Sequence, residues 1–228
     1  MHKQGFFLVT VLAMVSTAAM AAPPSHSPTH LPPGVVIGTG GGGAPVAFNL
    51  EHATAPGRGV APAVESSAII NFFSRMRNAP YVSWSGQLVG CAFAGCYQEA
   101  MAFTAPLSTT SKKVTLGLMA WSADSYTYQA DVSIYSDAAG VPGTALATDT
   151  VTAAPQFGPC CTPITAKLRV PLTAGTQYWI VVGPHTSTDA LIWADQAVDY
   201  VNQYLLASSQ NGGSWTAFTS TGYGYVLK

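Results

Sequence analysis

ITAKLRVPLTAGTQYWIVV, residues 164–182, decides the fold class. Ile164, Ala166, Leu168, Val170 and Leu172 alternate with Thr165, Lys167 and Arg169. After Thr173-Ala174-Gly175, the residues Tyr178, Ile180 and Val182 resume the alternation. Side chains on a strand point to opposite faces in turn, so period two puts one face in a core and the other toward water. The interruption carries a glycine suited to a tight turn.

The same pattern extends outward. Val114, Leu116, Leu118 and Ala120 alternate, as do Tyr128, Ala130, Val132 and Ile134. Further short strands are expected at 100–104, 145–152, 190–194, 200–206, 214–218 and 223–227. Turn signals separate them: the 137–143 stretch DAAGVPG, with Pro142-Gly143 suited to a type II turn, then Pro184 and Asn211-Gly212-Gly213. Many short strands without a long helix predict an all-β, two-sheet β-sandwich, jelly-roll-like, forming a single domain over residues 68–228.

Upstream the signals weaken. Residues 22–67 read as a Pro/Gly-rich leader and a transitional segment with no regular element expected before residue 46. Gly38, Gly40 and Gly43 match G-x-G-x-x-G, but that motif cradles a dinucleotide only between a strand and a helix N-terminus. His26 and His30 in the leader have no third ligand nearby. Residues 68–76 (AIINFFSRM) suit a helical turn or a strand equally. Tyr81, Val82, Ser83 and Trp84 look extended, and residues 86–96 look like a loop.

Residues 1–21 have the form of a secretory signal peptide: Lys3, an apolar run over 6–15, and Ala19-Met20-Ala21 at a cleavage site. The run is too short to span a bilayer, and no later segment suits one, so no transmembrane segment is expected in the mature chain. The expected address is secreted or cell-envelope. In that setting four cysteines read as two disulfides. Cys91 with Cys96 and Cys160 with Cys161 can each close locally. A vicinal bridge is strained, however, because a trans peptide holds neighbouring Cα atoms about 3.8 Å apart, and the alternative crosses the doublet to Cys91 and Cys96. Zinc is disfavoured by the absence of any C-x-x-C pair.

Composition removes several function classes. Only 8% of the 228 residues are charged and the net charge is −1, so no basic surface exists to neutralise a row of phosphates, and nucleic acid is not an expected partner. Catalytic constellations are thin. His185, with Ser187 and Asp189 nearby, lacks a nucleophile elbow. Glu99, Asp189 and Asp195 are the carboxylates available for glycoside hydrolysis, yet the chain has three Glu in all. Asp124, Asp131 and Asp137 match no calcium motif. No cofactor and no metal is expected, and an enzyme is disfavoured.

Aromatic residues are more informative. Tyr178, Ile180 and Val182 take one face of their strand while Trp179 and Val181 take the other; Met119 and Trp121 likewise oppose Leu118 and Ala120. Either the 46–84 segment covers these outer rings, or they form a platform with Trp193, Trp215 and Tyr223 on which sugar rings stack, Asp195 accepting hydroxyl hydrogen bonds. The expectation is a non-catalytic module binding carbohydrate or another cell-envelope polymer. The alternative is a structural or adhesive protein acting by self-association or protein contact.

Ala102-Phe103-Thr104, VSIYSDAAGVPGTALAT (132–148), FGPCCT (157–162), LTAGTQYWIVV (172–182) and Trp193 together resemble the choice-of-anchor R family of secreted bacterial β-sandwich proteins. The resemblance covers about residues 68–228. It implies an exported sandwich that occurs with varied anchoring signals, and it implies no reaction.

Overall fold

The computed structural model describes residues 35–39, 45–49, 68–71, 81–91, 95–121, 127–153, 163–196, 203–220 and 222–228. The expected signal peptide at 1–21, His26, His30, Asp124 and the Cys160-Cys161 doublet lie outside these. Among the described residues there is no helix, and hence none long and apolar enough to cross a membrane.

The strands, in chain order, are β1 (Val35–Thr39), β2 (Pro45–Asn49), β3 (Ile70–Asn71), β4 (Tyr81–Gly90), β5 (Tyr97–Thr104), β6 (Thr109–Thr110), β7 (Val114–Leu116), β8 (Leu118–Ala120) and β9 (Gln129–Asp137). There follow β10 (Pro142–Thr152), β11 (Ile164–Ala166), β12 (Pro171–Leu172), β13 (Gln177–Pro184), β14 (Ala190–Gln196), β15 (Tyr204–Gln210), β16 (Thr216–Ser220) and β17 (Tyr225–Leu227). The molecule is an all-β antiparallel sandwich. Its first layer is the ribbon β16-β15-β5-β13-β9-β10. Its second layer is β1-β2-β4-β14-β8, extended by the sheet β11-β7-β17-β3. The two ribbons are halves of one curled sheet that folds over where β4 meets β5, at the single pair Gly90 and Tyr97. The Cys91–Cys96 disulfide closes that corner.

The expected strand at 114–120 is two strands. At Gly117 the edge passes from one partner to another: Gly117 N donates to Gly224 O, while Ala194 N donates to Gly117 O. β17 therefore takes over the edge that β14 leaves. The alternating run 164–172 is also interrupted. Val170 N bonds to Ser111 Oγ at 3.0 Å, Ser111 Oγ donates to Leu168 O at 2.9 Å, and Lys167 N bonds to Asp149 Oδ2 at 2.7 Å. Side-chain acceptors there replace the ladder, which satisfies the backbone without a third sheet partner.

Three expectations are corrected. Pro142-Gly143 is not a turn but the start of β10; the reversal falls at Ala139 (φ 56°) and Gly140 (φ 87°), with Gly140 N bonded to Asp137 Oδ2 at 3.2 Å. Two consecutive positive φ values give the twist that a tight hairpin needs. Residues 86–90 are not loop but the end of β4, because Gly86 and Gly90 are the positions where β14 approaches most closely: a Cβ on Gly86 would lie 2.5 Å from Trp193 O. The leader does hold regular structure, since its β-branched Val35-Val36-Ile37 and its Pro45–Asn49 segment pair as β1 and β2 onto β4.

Between the layers lies one continuous core. Met101 and Phe103 of β5, Val132 and Ile134 of β9, and Tyr178, Ile180 and Val182 of β13 pack with Leu118, Leu191, Trp193, Tyr223 and Tyr225. Each such fully buried large apolar side chain contributes about 1.5–3 kcal/mol.

Candidate functional site

The first layer has a second apolar cluster on its outer face. Register places Ala207 of β15, Ala100 of β5, Val181 of β13, Ser133 of β9 and Thr148 of β10 in one row across the sheet, and Ala102, Trp179 and Tyr135 in the next. Ala100, Trp179, Val181 and Ala207 are buried; Ala102, Tyr135, Leu205 and Trp215 are partly exposed and pack against them. Trp215 stands at the entry to β16, on the same side of the sheet as Ala217, whose strand partner is Ala207.

Polar groups fix and border this cluster. Asp137 ends β9 just before its hairpin. Its Oδ1 accepts the Trp179 indole N–H at 2.8 Å and Gln177 Nε2 at 2.7 Å, and its Oδ2 accepts Gly140 N. Partial burial raises the Asp137 carboxyl, but the hydrogen bonds from Trp179, Gly140 and Gln177 outweigh it and hold the group below its ordinary value. The carboxylate thus stays charged while it sets the plane of the Trp179 ring. Ser133 and Thr148 hydroxyls bond to each other at 2.8 Å farther along the face. Gln98 lies over Gly183, where a Cβ would come within 2.9 Å of its amide nitrogen. At the β10 margin, His185 Nδ1 sits 3.0 Å from Asp131 Oδ1, and Thr150 Oγ1 donates to the same oxygen at 2.7 Å.

The other expected site residues do not join this face. Trp121, Trp193 and Tyr223 are fully buried in the main core, and the Trp193 and Tyr223 rings lie 4.4 Å apart. Asp195 is 8% exposed and forms a backbone bridge with Tyr223. A ring enclosed by protein has no face left for a sugar, so stacking at Trp121, Trp193 and Tyr223 does not survive. Trp179 is enclosed too, but it supports the partly exposed rings Tyr135 and Trp215. The sequence reading passed over Tyr135 and Leu205. Their signal was present: Tyr135 alternates with the core residues Val132 and Ile134, which assigns it outward.

The candidate carboxylates are committed to structure. Asp189, 1% exposed, accepts Gln129 N at 2.8 Å on one oxygen, and Thr186 N at 2.6 Å and Thr186 Oγ1 at 2.8 Å on the other, bracing the loop that carries His185 and Ser187. Glu99 lies in the core between the layers. Ser208 Oγ donates to its Oε1 at 2.8 Å from β15, and the Tyr223 hydroxyl donates to its Oε2 at 3.1 Å from the opposite layer. Burial pushes the Glu99 carboxyl up to about 8, with the two hydroxyl hydrogen bonds opposing the rise, so it is neutral at pH 7. Among the described residues no three His, Cys, Asp or Glu side chains converge as a metal site. Compared with known protein families, with curated proteins and with solved structures, the chain finds no match.

Proposed function

We propose that this chain is an exported, non-catalytic β-sandwich module that binds carbohydrate or another cell-envelope polymer on the outer face of its first layer. One observation carries the reading: an apolar and aromatic cluster on the side of the sheet away from the core, with Tyr135, Leu205 and Trp215 partly exposed above buried Trp179. Such a surface suits the apolar faces of sugar rings, while Gln177, the Ser133–Thr148 hydroxyl pair and Gln98 offer hydroxyl partners beside it. With 8% charged residues, the chain has little means of binding by charge. The Cys91–Cys96 disulfide supports an oxidising compartment. Asp189 and Glu99 serve loop bracing and layer joining.

The test is retention of the oxidised protein on a polysaccharide panel, with Trp215→Ala run in parallel. Selective retention that disappears in the variant, with the melting temperature kept within a few degrees, is the expected result. Equal retention of both proteins on every polymer would remove the outer face as the binding surface. A second reading, self-association of a structural or adhesive protein, is favoured by one feature: β16, which pairs with β15 alone among the described strands, carries neither charge nor proline.

A further inference from the structure

The first layer ends in two edges that differ in kind. β10 begins at Pro142, loses register with β9 between Pro142 and Ala145 and again between Ala145 and Ala147, and carries Asp149. The Asp149 carboxylate also draws in the backbone at Lys167, which lies against that edge. Proline, bulges, charge and covering chain are the devices by which sheets prevent edge-to-edge pairing. β16 has no proline, no charge and no bulge. It reads Thr216-Ala217-Phe218-Thr219-Ser220 and pairs with β15 in unbroken register from Ser208 to Tyr204. Among the described residues no strand lies on its other edge, and Thr216, Ala217 and Thr219 are exposed.

We propose that β16 is a self-recognition edge, along which two copies of this chain pair antiparallel about a two-fold axis, so that the first layer runs on as one sheet through the dimer. The proposal rests on the self-association reading and commits it to one edge, one partner and one register.

The strand is self-complementary in that arrangement. Centred on Phe218, it sets Thr216 opposite Ser220 and Ala217 opposite Thr219 of the second copy, and the two Phe218 rings meet on the core side, where Phe218 already packs beside Leu206. Every facing pair is neutral, so no like charges oppose one another. Outward-pointing N–H and C=O groups of each β16 bond to the other copy, as they do between neighbouring strands within a sheet. Association stops at two. A filament running on through the first layer would need β10 of one copy to accept β16 of the next, and the proline, bulges and Asp149 of β10 oppose this, whereas an isologous contact closes on itself. Because Ala217 and Thr219 lie on the outer side, the dimer also sets the two aromatic clusters on one continuous face.

The experiment is sedimentation velocity over a concentration series on the oxidised chain and three variants. The native chain should pass from monomer to dimer and no further. Ala217→Lys with Thr219→Lys places introduced lysines opposite each other twice across the axis and should weaken dimerisation by about tenfold or more. Ala217→Lys with Thr219→Glu pairs opposite charges at the same places and should restore the dimer, in a salt-sensitive way. Leu146→Lys, on the guarded β10, should leave it unchanged. Both β16 double variants alter exposed positions, and equal melting temperatures establish that each is folded. A strictly monomeric native chain overturns the inference together with self-association. Dimerisation indifferent to the two lysines, or abolished by Leu146→Lys, overturns the β16 edge while self-association stands.

Discussion

Replacing Glu99 by glutamine should make the protein more stable at neutral and alkaline pH, although it removes a carboxyl with two hydrogen bonds. The carboxyl titrates near 4.5 when exposed and at about 8 in the folded chain. Between those values the folded state holds a proton that the unfolded state has released, so stability falls as pH rises through the interval and the loss is complete above about 8. The full gap corresponds to about 5 kcal/mol, and to about 3 kcal/mol by pH 7, at ~1.4 kcal/mol for each tenfold change in proton activity. Glutamine keeps the shape and carries no titrating proton. Its carbonyl oxygen still accepts from the Tyr223 hydroxyl and its amide donates to Ser208 Oγ, so at pH 5 the variant should match the native protein within about 1 kcal/mol. Urea unfolding at pH 5, 6, 7 and 8 measures both proteins. Subtracting the two curves isolates Glu99, because every other group is the same in both proteins. The difference should start near zero at pH 5 and grow steadily in favour of the variant up to pH 8. Parallel curves, with the same offset at all four values, would show that Glu99 is ionised in the folded protein and that the layers are joined by a charged group.

Two further outcomes follow from backbone geometry and the corner disulfide. Gly86→Ala drives a methyl against Trp193 O and Ile192 Cγ2 and should cost about 2 kcal/mol or more, whereas Gly212→Ala, which meets nothing within 4 Å but sits at φ 67°, should cost about 1 kcal/mol, so that equal melting temperatures for the pair refute the packing of β4 on β14. Replacing Cys91 and Cys96 together by alanine should lower stability by about 2 kcal/mol, the entropy of a short closed loop, and non-reducing peptide maps should join residue 91 only to residue 96; a fragment linked to residue 160 or 161 contradicts the assigned pairing.

Legibility in the sequence followed the alternation of side chains. Where one parity was apolar and the other polar, as around Val132 and Ile134, strand and inward face could both be read, and the outward place of Tyr135 came with them. Where both parities were apolar, the strand could be read but not its covered side. Trp193 alternates with Ile192, and both are buried, so period two is silent on whether either meets solvent. Glu99 shows the reverse case: parity set it with Met101 and Phe103, against its charge, and a buried, neutral carboxyl is the resolution.

The sequence by itself determined that the chain is all-β, where most strands run, that Asn211-Gly212 and Gly175 turn the chain, and that charge is scarce, because these depend on residue type and local spacing. Only the tertiary structure decided that Gly117 splits a strand between two partners, that Gly86 and Gly90 lie within β4, that Trp121, Trp193 and Tyr223 belong to the core, and that Trp179 and Trp215 share the outer face. Each of those depends on which distant strand arrives alongside. That is a property of pairing across the chain, and no window of neighbouring residues contains it.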